Sequence, residues 1–140
     1  MIYRDINKYK YELMDDFSIQ VPIKDSPFKA SYFNLTKEGI LTIKIGYKWD
    51  GVSGPTWDSE NTMLGGLVHD CLYQCIRCEF LAESAKEVVD DTFYDILISC
   101  GMSKFRAGYY YRAVDVFGAS SCIAGDTKSP KFKEIDCELG

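Results

Sequence analysis

Apolar and polar residues alternate along the first third of the chain. Tyr11, Phe17, Ile19, Val21 and Ile23 recur against polar neighbours, and Leu41, Ile43 and Ile45 are separated by Thr42 and Lys44. A period of two sends every second side chain to one face of a sheet. Asp15-Asp16, Asp25-Ser26-Pro27 and Lys37-Glu38-Gly39 supply turn residues between these runs. Residues 1–46 therefore predict three or four antiparallel strands. The period then breaks, because Gly46, Gly51, Gly54 and Pro55 follow closely on one another, and 47–61 reads as a Gly/Pro-rich functional loop. Beyond it the spacing of apolar residues becomes helical. One helix is predicted from about Thr62 to Cys78, with Asp58, Ser59 or Asn61 as its cap and Glu60 near its positive end. A second runs from about Ala82 to Cys100 and stops at Gly101; a third runs from Ser103, a suitable N-cap, to Phe117 and stops at Gly118. Residues 119–140 contain Gly125 and Pro130 and keep no period, which predicts an extended arm. The expectation is one α+β domain over 1–140: an N-terminal antiparallel sheet, the loop, three helices over 62–118 and the C-terminal arm.

Composition adds constraints to this outline. A chain of 140 residues with 46% hydrophobic and 26% charged residues suits a single folded domain with an ordinary core. A net charge of -5 is the wrong sign for affinity based on neutralising phosphates, so nucleic acid is disfavoured as a partner. The N-terminus has no basic start followed by an apolar run, and no apolar run approaches the ~18 residues of a membrane span. The protein is expected to stay soluble where it is made. Without a secretion signal, Cys71, Cys75, Cys78, Cys100, Cys122 and Cys137 read mostly as reduced thiols that pack as small apolar residues.

The candidate chemistry centres on Val68-His69-Asp70-Cys71-Leu72-Tyr73, which holds the only histidine in the chain. At about 100° per residue, Leu64, Leu67, Val68, Cys71, Cys75 and Cys78 form one broad core face. His69 falls on the other side with Gly65, Gly66, Tyr73 and Ile76. The two glycines, each costing roughly 1 kcal/mol in a helix relative to alanine, leave room beside the imidazole for a substrate or another backbone. On the second helix Asp90 lies at the edge of the face formed by Val89, Phe93, Ile96, Leu97 and Cys100, whereas Asp91 and Asp95 point away. A carboxylate there needs a partner, and His69 or Tyr73 is the obvious one. Bonded to the imidazole, Asp90 would fix the tautomer of a general base; bonded to Tyr73, it would only tie two helices together. Trp49, Ser53, Gly65, Gly66 and Tyr73 are expected to line the site. Glycines in the loop let backbone groups approach a ligand, and Asp50, Asp58 and Asp70 offer hard oxygen ligands, so calcium is the candidate cofactor, with Gly51 and Gly54 contributing backbone. Cys71-x3-Cys75-x2-Cys78 spells an iron–sulfur pattern, but no cluster is expected from cysteines on an apolar helix face.

These residues resemble a family of small bacteriophage and prophage proteins catalogued as domain of unknown function 1353. The resemblance covers roughly 47–118 and rests on Trp49-Asp50-Gly51-x-Ser53-x-Pro55, His69-Asp70-x-Leu72-Tyr73, Asp90-x-x-Phe93 and the tyrosine-rich helix ending in Phe117-Gly118. It implies a phage context, with synthesis in the host cytoplasm and incorporation into the virion as an option, but does not indicate which activity the protein has. A second resemblance is to calcium-dependent secreted phospholipases of the histidine/aspartate type, which have a glycine-rich loop, His-Asp, a tyrosine four residues after the histidine and an aspartate on the next helix. It implies that His69 deprotonates a water, Asp90 orients the ring, Asp70 binds calcium and loop backbone completes the metal site. Leu72 stands where those enzymes have cysteine, and their disulfide frame is missing. The functional expectation is a hydrolase acting on an ester or amide, with lipid or the host cell envelope as substrate. The alternatives are a virion structural or accessory protein with phage or host partners, and a small acidic inhibitor of a host defence protein.

Overall fold

A computed structural model describes residues 1–6, 10–49 and 60–118. These residues are α+β, with strands in the N-terminal half and three helices in the C-terminal half. The strands fall in one compact unit, Met1–Trp49, and the helices in another.

The strand unit holds two antiparallel sheets rather than one. β1 (Tyr3–Ile6), β2 (Lys10–Leu13) and β7 (Lys48–Trp49) form a three-stranded sheet in the order β1-β2-β7. β3 (Phe17–Gln20), β4 (Phe28–Lys29), β5 (Phe33–Leu35) and β6 (Ile40–Ile43) form a four-stranded sheet in the order β3-β6-β5-β4. Seven short strands among the described residues thus replace the three or four expected, and β7 occupies the start of the expected loop. Strands of two to four residues are too short to show a period by themselves; pairing with a neighbour defines them.

Register in the larger sheet follows from alternation. Ile19, Leu41, Leu35 and Phe28 stand opposite one another across the four strands, as do Phe17, Ile43 and Phe33. Leu35, Leu41, Ile43 and Phe33 are buried. The intervening row of Ser18, Thr42, Asn34 and Lys29 is polar, and the Ser18 and Thr42 hydroxyls bond at 2.8 Å. A slip of one residue would exchange these rows, so the pattern itself selects the pairing. The alternation ends earlier than expected: β3 stops at Gln20, and Ile45 lies beyond β6 and is exposed. The chain turns next at Gly46, whose φ is +94°.

Gly39 closes the turn between β5 and β6 with φ +96°; its N–H donates to Thr36 O at 3.0 Å, and its carbonyl accepts from Val21 N–H at 2.8 Å. A Cβ there would lie 2.5 Å from Val21 O. Gly39→Ala is therefore expected to cost about 2 kcal/mol, from positive-φ strain and contact with a backbone oxygen that cannot withdraw cheaply. Urea denaturation of the two proteins measures it.

The helices are α1 (Glu60–Arg77), α2 (Lys86–Ser99) and α3 (Lys104–Phe117), with a single 3-10 turn, Glu83–Ala85, leading into α2. Their limits follow local chemistry. Ser103 caps α3 by accepting from Arg106 N–H at 3.2 Å. Gly101, at φ +94°, ends α2 while Met102 N–H reaches back to Leu97 O at 3.0 Å. At the end of α1 the left-handed position falls on Glu79, φ +63°, and Phe80 N–H closes onto Cys75 O at 2.9 Å. Phe93, Leu97, Met102, Ala107, Tyr110 and Val114 form the buried cluster between α2 and α3. Among the described residues, no helix is long and apolar enough to cross a membrane.

One expectation about the cysteines is corrected. Cys71, Cys75 and Cys100 are free thiols, but Cys78 is disulfide-bonded. A disulfide depends on two sulfurs meeting in the tertiary fold, which helix spacing does not address. Burial, reinforced by a hydrogen bond to Cys75, pushes the Cys71 thiol well above its ordinary range, so the pair behaves as core. The expected arm, 119–140, lies outside the described residues.

A candidate site centred on a buried carboxylate

α1 and α2 bring His69 and Asp90 together. Nε2 of His69 lies 2.8 Å from Oδ1 of Asp90, and the two side chains are 3% and 1% exposed. The Tyr73 hydroxyl, one turn along α1, donates to the same Oδ1 at 2.6 Å. The other oxygen, Oδ2, accepts from Nζ of Lys86 at 2.7 Å. Lys86 is four residues before Asp90 on α2 and is 20% exposed; it also reaches Asp115 on α3, with Nζ 3.3 Å from Oδ1 and from the backbone carbonyl. A single line of polar contacts thus leads from the buried imidazole to a surface carboxylate.

The charge states follow from these contacts. Burial pushes the Asp90 carboxyl up, but hydrogen bonds from His69, Lys86 and Tyr73 outweigh it and hold the group below its usual 3.8. Burial likewise pushes the Lys86 ammonium down, and its bonds to Asp90 and Asp115 carry it above 10.5. An ionised carboxylate only accepts, so Nε2 must donate to Asp90, and a neutral ring then carries its lone pair on Nδ1. Asp90 thereby fixes one tautomer and would stabilise an imidazolium.

Packing also holds the ring. The imidazole centroid is 4.0 Å from the Tyr73 ring and 5.0 Å from the Phe93 ring. A Cβ on Gly65 would stand 3.1 Å from Phe93 Cδ1 and Cε1 and 3.2 Å from Leu97 Cδ2. The space beside this glycine is therefore filled by α2. Gly118 makes room in the same way. A Cβ there would meet the Tyr73 hydroxyl at 2.7 Å, so the end of α3 is kept bare where the tyrosine reaches Asp90.

Of the residues predicted for the site, His69, Tyr73 and Asp90 meet as described. The division of α1 into a core face and an open face does not hold, since both sides are buried from Thr62 to Arg77 apart from Leu64 and Asp70; α2 packs where the open side was expected. Gly66 is buried. Trp49 belongs to the strand unit, where its indole packs on Tyr3 and Tyr11 at centroid distances of 5.8 and 5.5 Å. Asp50, Gly51, Ser53 and Gly54 lie outside the described residues. Asp70 is half-buried, and it is the one expected calcium ligand that the described residues include. Among those residues no group of three or more His, Cys, Asp and Glu side chains is disposed to hold a metal ion.

Sequence reasoning missed Lys86 and the ring contact of Phe93. The signal for the first was present as the i, i+4 spacing of Lys86 and Asp90. Phe93 falls on the predicted core face, and its contact with the imidazole needs the α1/α2 packing to be known. The α+β fold and this His–Asp–Tyr–Lys network define the protein's class as far as structure does. No family model, curated protein or solved structure matches the chain.

Proposed function

We propose that this protein is a phage-encoded hydrolase in which His69 is the general base and Asp90 its positioning partner, acting on an ester or amide of the host envelope. The observation that carries the reading is the contact of Nε2 with a carboxylate oxygen at 2.8 Å, with that carboxylate held ionised by Tyr73 and Lys86. In the reaction Nδ1 takes a proton from water, the hydroxide oxygen bonds to the carbonyl carbon, and the imidazolium returns the proton to the departing alkoxide or amine as the old bond breaks. Asp90 supports the ring while it is charged. The phage context rests on the sequence resemblance alone.

The burial of both His69 and Asp90 favours a second reading, a virion structural or accessory protein in which the network locks helices together. Turnover separates the two. On panels of lipid, peptidoglycan and simple acyl esters, the hydrolase reading expects activity that falls by roughly 10²–10⁴-fold in His69→Gln, the share typical of a positioned base, while circular dichroism shows the variant folded. Activity that survives His69→Gln removes the proposal. A wild-type protein inert on all panels, with the histidine variants changing only the unfolding midpoint, establishes the structural lock.

A further inference from the structure

The side of α2 turned away from His69 carries a different feature. A groove of about 430 Å³ opens there, lined by Asp91, Tyr94 and Asp95 of α2 and by Gly108 and Tyr111 of α3. Its volume lies in the range of ligand pockets, and a Cβ on Gly108 would meet nothing within 4 Å, so the space is open on the α3 side. The Tyr94 and Tyr111 rings stand 6.2 Å apart at 88°, making an aromatic corner. Asp91 and Asp95 are exposed and one helical turn apart; among the described residues neither has an ion-pair partner. The Tyr111 hydroxyl is pushed up to about 12, first by its hydrogen bond to Asp91 and then by burial and by the charges of Asp91, Asp115 and Asp90. The groove is thus aromatic and electrostatically negative.

We propose that this groove receives the guanidinium of an arginine side chain on a partner protein. A weakly hydrated planar cation gains from an aromatic face and from carboxylates that it can address with several N–H groups at once, and the corner with Asp91 and Asp95 beside it supplies both. A groove open along the helix surface leaves room for the rest of a partner chain, and a net charge of -5 steers basic partners toward this protein. The site is independent of the hydrolase reading, since Asp90 points into the core and Asp91 away from it.

The test is an NMR titration of the full chain with acetyl-Gly-Arg-Gly-amide, with its citrulline and lysine counterparts, and with agmatine as a free cation. The expected result is a saturable shift centred on Tyr94, Gly108 and Tyr111 that is at least about tenfold weaker for the neutral citrulline peptide. The same loss is expected in the double variant Asp91→Asn, Asp95→Asn, whose exposed substitutions should leave the fold intact, and in Gly108→Leu, which fills the groove without touching a charge. Equal binding of citrulline, absence of a saturable shift at these residues, or unchanged affinity in both variants overturns the proposal. A lysine peptide that binds as well overturns the choice of guanidinium, and agmatine binding about tenfold tighter than the arginine peptide overturns the choice of a protein partner.

Discussion

Replacing Asp90 by alanine is expected to lower the folding stability of this protein by about 3–5 kcal/mol, the usual loss when one member of a buried, charged and hydrogen-bonded group is removed. The carboxylate is 1% exposed and accepts from three donors, His69, Tyr73 and Lys86. Alanine leaves His69 and Tyr73 to be buried without it. Lys86 suffers least, because it is partly exposed and also bonded to Asp115. Asp90→Asn should cost less, roughly 1–3 kcal/mol, since the amide oxygen can still accept from His69 and Tyr73, while the charge and the acceptor facing Lys86 are lost and Lys86 keeps Asp115. Urea denaturation of the three proteins measures both values.

The same comparison has a pH signature. Because Asp90 titrates below 3.8 in the folded protein, its contribution is complete above that value and is lost as pH falls through the depressed one. The wild type should therefore lose stability on acidification below about pH 4, and Asp90→Asn should lose less over the same interval. Lys86 has the opposite sign. Its contribution is complete below 10.5 and fades as pH rises through its raised value. An Asp90→Asn protein as acid-sensitive as the wild type would show that the carboxylate is not the group being protonated.

Phe93→Ala is expected to cost a similar amount, about 3–5 kcal/mol, by opening a cavity in the helical core. The ring is 1% exposed, lies tilted against the imidazole and occupies the space that a side chain on Gly65 would need. Gly65 and Phe93 should therefore be energetically coupled. Gly65→Ala alone should destabilise, because its Cβ would crowd Phe93 and Leu97 at 3.1 and 3.2 Å. In the Phe93→Ala background the same methyl enters the new cavity and should do little harm. The double-mutant cycle should then show a coupling of about 1 kcal/mol or more, and strictly additive losses would mean that Gly65 is not there to admit α2.

Much of the helical half was legible in order. Ser103 marked the start of the third helix and Gly101 the end of the second because capping is local: a hydroxyl beside the first free N–H, or a residue that tolerates positive φ after the last turn. Asp90 was identifiable as a carboxylate needing a partner, since the cost of burying a charge depends on little more than its position on an apolar face. The expected partner was His69 or Tyr73, and the structure supplies both. The strand half was less legible: two-residue β4 and β7 are defined by neighbours distant in the chain, and a period of two cannot say whether the strands make one sheet or two.

By itself, then, the sequence determined the α+β class, the order of strands before helices, the limits of the third helix, the end of the second, and three of the four residues of the polar network. These are consequences of period, capping and charge burial, all of which act within a few residues. Only the tertiary structure decided that α2 fills the space beside Gly65, that Lys86 is the third donor to Asp90, that Cys78 is disulfide-bonded, and that His69 is enclosed. Each of these depends on which surfaces meet, and no spacing along one element carries that information.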